Sequence, residues 1–234
     1  MRNKYRLCFS KTGALAFLGH LDLLKVFQQA VKRSGLPIAY SGGFNPHQQT
    51  GFALPLPLGM DGMAEYVDIE LTQALPAAAI PESLNPALPD GLLIHAAIPL
   101  AEGDKSAAAL VEKAAYEIEL PYDPSLEKQL PQLIARLMAS PVITVTRRAK
   151  GGLKEGDIRL DIFSIAYAGQ DNETHSLKLH LLLSAGSARN LKADVVVAEI
   201  YRMADIPFDP YTVAYTRTEL ILSTEQPSCA SPAQ

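Results

Sequence analysis

The spacing of apolar residues predicts alternating strands and helices, with one strongly amphipathic helix near the start of the chain. Residues 5–9 (YRLCF) and 64–71 (AEYVDIEL) alternate apolar and polar side chains, a pattern that indicates strands with one buried face. Between them, apolar residues recur at steps of three and four, which is typical of one helical face. These residues are Phe17, Leu21, Leu24, Phe27 and Val31. The pattern predicts a helix that begins near Gly19 and ends before Gly35, two residues suited to helix caps.

The remaining patterns predict two similar successions of elements. The first half has the order strand, helix, strand, strand, helix, strand, and the second half repeats it with one strand more. Strands are predicted at 5–9, 49–54, 64–71, 92–98, 116–120, 142–148, 157–168, 175–184 and 212–222. Further helices are predicted at 80–87, at 125–140 with an interruption at Pro131, and at 191–203.

This order predicts an α+β fold made of two tandem ferredoxin-like (βαββαβ-type) units with antiparallel sheets. The first unit is expected at 1–100 and the second at 114–222, the second carrying an extra strand or hairpin. A single uninterrupted α/β sheet is disfavoured, because the strands between 142 and 184 follow one another without intervening helices. Residues 223–234 are polar and small, so a disordered tail is expected there.

Composition narrows the range of functions. The chain has 234 residues, 48% of them hydrophobic, and no apolar run long enough to cross a membrane. Its two cysteines, Cys8 and Cys229, exclude a four-thiolate metal site made by this chain alone and favour a reducing, cytoplasmic location. No spacing of histidines, cysteines and acids indicates a metal site. We therefore expect neither a metal nor a cofactor.

Charge is distributed unevenly along the chain. The formal net charge is −4, which argues against indiscriminate binding to polyanions. Residues 1–50 nevertheless carry a strong excess of lysine and arginine, residues 51–140 carry an excess of acids, and residues 141–159 are basic again. Such asymmetry can mark a localised anion-binding face, although neighbours in sequence need not form one patch. Both interpretations stay open at this point.

The start of the predicted helix is the first candidate site. His20 falls in the first helical turn, where exposed backbone N–H groups favour an anion such as phosphate. Its imidazole could donate to a ligand oxygen or serve as a general acid or base. The alternative is that His20 and Asp22 are ordinary surface residues near a helix cap.

The stretch YSGGFNPH, residues 40–47, is a second part of the same candidate site. Ser41 is followed by Gly42 and Gly43, which allow a positive φ and a close approach of the backbone to a ligand. Phe44 could present a face on which a nucleobase stacks. Asn45 begins a turn from which His47 would project. The alternative is a glycine turn whose Phe44 packs into the core.

Residues 146–159 (TRRAKGGLKEGDIR) form the second candidate, a basic hairpin with glycines at its tip. A flexible hairpin of this composition can lie along a phosphate backbone. Asp157 and Arg159 on its return strand would share one face and could form a pair or a substrate clamp. The candidate residues of the hairpin are Arg147, Arg148, Lys150, Asp157 and Arg159. A solvated surface hairpin is the alternative.

With these motifs in view, the sequence resembles the radical-SAM-linked protein family, a bacterial domain of unknown function. The resemblance is carried by LGHLD at 18–22 and GFNPH at 43–47, with support from the basic hairpin and from the closing TRTEL. It implies a radical SAM enzyme as partner, and it directs attention to the site residues named above. The chain departs from the family pattern at Gln48 and Gln49, where a proline and a basic residue are usual, and at Arg189-Asn190, where Arg-Pro is common.

Three functions follow as hypotheses. The first is an accessory protein that recognises RNA, with no catalytic residue of its own, and presents it to a radical SAM enzyme. The second is an RNA-processing or RNA-modifying enzyme with His20 and His47 as an acid–base pair, which requires the two imidazoles to converge. The third is an interaction module whose ligand is the radical SAM enzyme itself.

Overall fold

The computed structural model describes residues 3–149 and 152–223 and divides the chain into two compact units. The first is built from residues up to Glu112 and from Arg217 onwards, and the second is Lys113–Thr216. The last strand is thus shared between them, whereas the sequence pattern assigned all of 212–222 to the second unit. The mixture of helices and antiparallel strand pairs confirms an α+β fold.

The strands are β1 Asn3–Lys11, β2 Thr50–Phe52, β3 Met60–Leu71, β4 Leu92–Leu100, β5 Val111–Pro121, β6 Thr144–Ala149, β7 Gly152–Asp157, β8 Ile162–Asp171, β9 Ser176–Ser184 and β10 Ala214–Leu222. The α-helices in the described residues are α1 His20–Arg33, α2 Ala79–Leu84, α3 Ala107–Leu110, α4 Pro124–Ala139 and α5 Ala193–Ala204. Short 3₁₀ turns occupy Gly13–Phe17, Asn85–Ala87, Arg159–Asp161 and Pro210–Thr212.

In the first unit, β1 lies between β4 and β3, and both pairings are antiparallel. The short strand β2 pairs with β3, and β10 also borders β3. The element order of residues 1–100 is the predicted βαββαβ order. The ferredoxin-like description of the two units stays a prediction.

The core of the first unit explains which face of α1 is buried. Leu23, Phe27, Ala30 and Val31 pack against the inward side chains of β1, β3 and β4. The predicted face was wrong at its start, because Leu21 is 69% exposed and Phe17 is 72% exposed. Phe17 belongs to the preceding 3₁₀ turn, so it does not follow the phase of the helix.

A buried ion pair ties the last strand to the first unit. Arg217 of β10 donates from Nε to Glu65 Oε1 at 2.7 Å and from Nη2 to Glu65 Oε2 at 2.6 Å. Both residues are almost fully buried, and Arg217 also donates to the carbonyl of Leu54. Lys11 lies near this pair, and its pKa is lowered, mainly by burial and against the attraction of Glu65. The ammonium of Lys11 donates to the carbonyls of Ala16 and Leu18, just before α1 begins.

In the second unit, β9 lies between β5 and β8, again with antiparallel pairing. Helices α4 and α5 bury the apolar residues of one face each. Strands β6 and β7 form a separate two-stranded hairpin, whose backbone register places Arg147 opposite Lys154.

Two details of the second half differ from the sequence-based prediction. Helix α4 continues through Pro131, which lies exposed on its surface, so the predicted interruption was wrong. Residues 157–168 do not form one strand: β7 ends at Asp157, and the turn Arg159–Asp161 precedes β8. The carboxylate of Asp157 ends the strand by accepting N–H groups from Ile143 and Arg159.

No helix within residues 3–149 and 152–223 is long and apolar enough to cross a membrane. Cys8 is buried in β1. A cytoplasmic location stays a prediction.

Candidate nucleic-acid interface

The stretch singled out in the sequence forms a hairpin that is fixed at its base, and we call residues 39–49 the binding hairpin. Tyr40 and Gln48 form an antiparallel bridge. The N–H of Gln49 donates to the carbonyl of Ala39 at 2.8 Å, and the N–H of Ser41 donates to the carbonyl of His47 at 2.8 Å. The same segment is attached to β3, because the N–H of Ala39 donates to Glu70 and the N–H of Glu70 donates to Gln49.

The tip of the binding hairpin presents an aromatic ring to solvent. Phe44 is fully exposed, with a relative accessibility of 111%. It therefore does not pack into the core, and the simple turn interpretation of this residue was wrong. Gly43 has φ of +102°, a conformation that side-chain-bearing residues avoid, which explains the glycine beside the exposed ring. The sequence thus places a large apolar surface where folding does not need it.

A cleft lies between the binding hairpin and α1, and we call it the α1 cleft. Its volume is about 300 Å³, at the lower end of the range for small-ligand sites. Lysine, glutamine, tyrosine and histidine dominate its lining. The lining residues are Lys25, Gln28, Gln29, Lys32, Tyr40, Pro46, His47 and Gln48.

The charge of the α1 cleft is positive. The residues that line it include two lysines and no carboxylate. Lys25 pairs with Asp22 at 3.2 Å, but both side chains are mostly exposed, so the pair is weak and easily exchanged for another anion. Lys32 follows one heptad after Lys25, which places the two ammonium groups on one helical side, with Cα atoms about 10 Å apart along the axis.

The hydrogen bonds of the binding hairpin fix the imidazole of His47. Its Nδ1 lies 3.0 Å from Ser41 Oγ and 3.4 Å from the carbonyl oxygen of Asn45. The backbone N–H of His47 also donates to Ser41 Oγ at 3.1 Å. Ser41 and Asn45 therefore position this ring, while His47 itself lines the α1 cleft.

His20 takes a different place. It begins α1 as predicted, but its ring packs edge-on against Phe52, with 5.6 Å between the ring centres. It is not among the residues that line the α1 cleft. Asp22, its predicted neighbour in the site, is engaged with Lys25. The structure thus brings together Ser41, Asn45 and His47, and it does not join His20 to them.

Gln48 is one of the cleft residues that sequence reasoning treated only as a departure from a pattern. Its side chain is buried, with 5% exposed, and its Nε2 donates to the backbone carbonyl of Gln28 at 3.1 Å. It therefore joins the binding hairpin to α1. The spacing of Lys25, Gln28 and Lys32 at steps of three and four was the signal that could have revealed the cleft-facing side of the helix.

The predicted site in the second unit is described only in part. Lys150 lies outside the described residues, and Arg147 and Arg148 are placed only as backbone positions in β6. The expectation that Asp157 and Arg159 share one face of a strand was wrong, because β7 ends at Asp157 and Arg159 begins a turn. A role of the two residues in binding a substrate stays a prediction. The guanidinium of Arg159 donates to the carbonyls of Ile162 and Met138, and backbone N–H groups from Arg159 and Ile143 lower the pKa of Asp157. Both side chains thus hold the turn after β7.

Within the described ranges, no group of three or more histidines, cysteines or acids could hold a metal ion.

Comparison with protein families gives a clear match. The model of a family described as "Uncharacterized protein conserved in bacteria (DUF2344)" matches residues 4–193, well over half of the chain. The chain belongs to this family. The match includes α1, the binding hairpin and the β6–β7 hairpin, so all the candidate residues lie in the part that defines a DUF2344 protein.

Comparison with other proteins adds fold information only. No curated protein matches the chain. A solved structure described as the crystal structure of a Cbf5-Nop10-Gar1 complex contains a similar chain, with a TM-score of 0.52 and 9% sequence identity. The similarity covers 92% of the DUF2344 chain and 48% of that chain, so this protein spans about half the length of the one it resembles.

Proposed function

We propose that this DUF2344 protein is an accessory RNA-recognition protein, built on two tandem ferredoxin-like units, that works with a radical SAM enzyme in RNA modification or ribosome-related metabolism. The α1 cleft carries the proposal. It joins two lysines, a histidine and three amide side chains in a space of about 300 Å³ without a lining carboxylate. Lysines attract phosphate, and amides offer both donors and acceptors to base edges.

The exposed Phe44 supports single-stranded RNA in particular. An aromatic side chain with no packing role is suited to stack on an unpaired base, and bases in a duplex are not available for this. The ring stands at the tip of the same hairpin that lines the cleft. One strand of RNA would therefore stack on Phe44 and place its backbone towards Lys25 and Lys32.

The remaining parts of the proposal rest on sequence. The β6–β7 hairpin, with Arg147, Arg148 and Lys150, is proposed to hold further phosphates. The radical SAM partner rests on the family resemblance of the motifs at 18–22 and 43–47.

An equilibrium binding experiment tests the proposal. Fluorescence anisotropy with a short, unstructured, labelled RNA at low salt should show binding, because the electrostatic contribution is then largest. The double variant Lys25→Ala/Lys32→Ala should bind at least tenfold more weakly. Lys128→Ala is the matched control, since this exposed lysine also lies on a helix but outside the cleft. Absence of RNA binding by the wild-type protein, or equal losses in both variants, contradicts the proposal.

The second candidate function is binding of the partner protein. Phe17 and Leu58 are exposed by 72% and 70%, and the N–H of Gly59 donates to Ala16, so these two side chains lie on neighbouring segments. Exposed apolar side chains close together are typical of protein contacts. Co-purification of a radical SAM enzyme that survives nuclease and high salt, and that Phe17→Ser abolishes, would favour this function.

A further inference from the structure

The contacts of His47 determine which of its nitrogens is available to a ligand. A carbonyl oxygen accepts hydrogen bonds and repels a lone pair, and the carbonyl of Asn45 lies 3.4 Å from Nδ1. Ser41 Oγ, at 3.0 Å, can accept a hydrogen bond from the same nitrogen. Both neighbours are satisfied when Nδ1 carries the hydrogen. In the neutral ring, Nε2 then holds a lone pair and acts as an acceptor.

The ring has little freedom to exchange these roles. Ser41 Oγ is itself held by the backbone N–H of His47 at 3.1 Å, and the N–H of Ser41 donates to the carbonyl of His47 at 2.8 Å. Two backbone contacts therefore hold His47 beside Ser41, and one side-chain contact holds its imidazole against Ser41 Oγ. Among the described residues, no hydrogen bond occupies Nε2.

An acceptor in a basic cleft restricts the ligand. Phosphate oxygens carry no hydrogen, so they suit Lys25 and Lys32 but not the lone pair of Nε2. The side-chain amides of Gln28 and Gln29 each offer a donor and an acceptor, so they suit the edge of a base. The donor of a nucleotide that lies nearest its phosphates is a ribose hydroxyl, and the 2′-hydroxyl distinguishes RNA from DNA.

We infer that Nε2 of His47 accepts a hydrogen bond from the ribose 2′-hydroxyl of a nucleotide in the α1 cleft, so that the site selects RNA over DNA. Ser41 is the positioning residue for this acceptor. The inference rests on the proposed function, because it names the group by which the proposed RNA site would recognise its ligand.

The test compares three ligands with one protein. Anisotropy is measured with an oligouridine, with the same-length oligodeoxyuridine, and with a 2′-O-methyl oligouridine, which cannot donate. The wild-type protein should prefer the oligouridine by about fivefold over both other strands, the effect of one net hydrogen bond. His47→Ala should remove this preference by weakening oligouridine binding alone. His95→Ala, an exposed histidine of the same unit outside the cleft, should leave it intact.

A nitrogen NMR measurement of the imidazoles provides a second readout. The unliganded wild-type protein should show His47 protonated at Nδ1, and Ser41→Ala should shift the tautomer balance and weaken the preference for the oligouridine. The inference is overturned if the wild-type protein binds the three strands equally and His47→Ala does not alter that binding. If Lys25→Ala/Lys32→Ala still weakens binding in that case, the α1 cleft remains a nucleic-acid site. If the wild-type protein binds none of the three strands, the proposed function is overturned as well.

Discussion

The buried pair of Arg217 and Glu65 should contribute strongly to the stability of the first unit, and Glu65→Gln is the substitution that tests this. The change keeps the shape of the side chain and removes its charge. Arg217, only 1% exposed, would then be a buried cation without its carboxylate. Removing one partner of a buried pair typically costs about 3–5 kcal/mol. Lys11, whose ammonium Glu65 also attracts, would lose a stabilising partner at the same time.

Urea unfolding followed by circular dichroism measures the effect. With an m-value of about 1–3 kcal/mol/M, the loss corresponds to a fall in the unfolding midpoint of about 1 M or more. Glu102→Gln, a change at an exposed loop residue of the same unit, should change the free energy of unfolding by no more than about 0.5 kcal/mol.

A double variant separates the cost of a buried arginine that has lost the charge of Glu65 from the value of the pair. Glu65→Leu/Arg217→Met removes both charges and places an apolar side chain at each position, so it should be less destabilised than Glu65→Gln. The reasoning is refuted if Glu65→Gln behaves like the Glu102 control. It is also refuted if the double variant is the least stable of the set.

Three further predictions concern the binding hairpin, a close backbone contact and a surface ion pair. Phe44→Ala should weaken binding of single-stranded RNA by about 1–3 kcal/mol without lowering thermal stability, because a stacking surface is lost and no packing is; anisotropy and calorimetry measure both effects. Gly91→Ala should destabilise the fold by more than about 2 kcal/mol in urea unfolding, because φ is +87° and a Cβ would lie 2.5 Å from the carbonyl oxygen of Thr12. The hydrogen bond from Lys178 is the largest of the contacts that lower the pKa of Asp171 to about 2. Because the pKa is lower in the folded protein, the ionised Asp171 contributes its full stabilisation above the unfolded pKa of about 3.9, and this stabilisation is lost as pH falls through 2. Lys178→Met should therefore move the carboxyl titration of Asp171, followed by NMR, upwards towards that unfolded value.

The first two of these predictions have a control in the same chain, and the third has an outcome that would contradict it. Tyr211→Ala removes another exposed ring, 96% accessible, and should leave RNA binding unchanged. Gly103 has a similar φ of +94°, but a Cβ at this position would meet no atom within 4 Å, so Gly103→Ala should cost less than Gly91→Ala. An equal effect of the two alanine substitutions would show that the contact with Thr12 is unimportant. If the pKa of Asp171 is the same in Lys178→Met as in the wild-type protein, the low pKa is due to the backbone N–H groups and not to Lys178.

Local signals were enough to place α1, and they failed where the phase of the helix mattered. Gly19, Gly35 and the basic last turn mark the ends of the helix correctly. Periodicity alone extended the apolar face back to Phe17, which folds into a 3₁₀ turn and lies out of phase with the helix. Pro131 was misjudged for a related reason, since a proline on an exposed side of α4 removes one hydrogen bond without ending the helix.

Features made by residues distant in sequence could not be predicted from local patterns. Arg217 and Glu65 are 152 positions apart, and nothing in either segment points to the other. The α1 cleft depends on Gln48 reaching back to Gln28, a contact that only the folded hairpin creates. The sequence did single out residues 40–47, because two glycines, an aromatic residue and an Asn-Pro turn in one short segment follow neither a strand nor a helix periodicity.

Ultraviolet crosslinking of the wild-type protein to a short uridine-rich RNA, followed by mass spectrometry of the peptides, tests the RNA site most directly. The proposed cleft predicts crosslinked nucleotides on Phe44, on His47 and on peptides that contain Lys25 or Lys32. These crosslinks should disappear in Lys25→Ala/Lys32→Ala and persist in Lys128→Ala. Crosslinks confined to residues outside α1 and the binding hairpin, or none under conditions where RNA binds, would contradict the account.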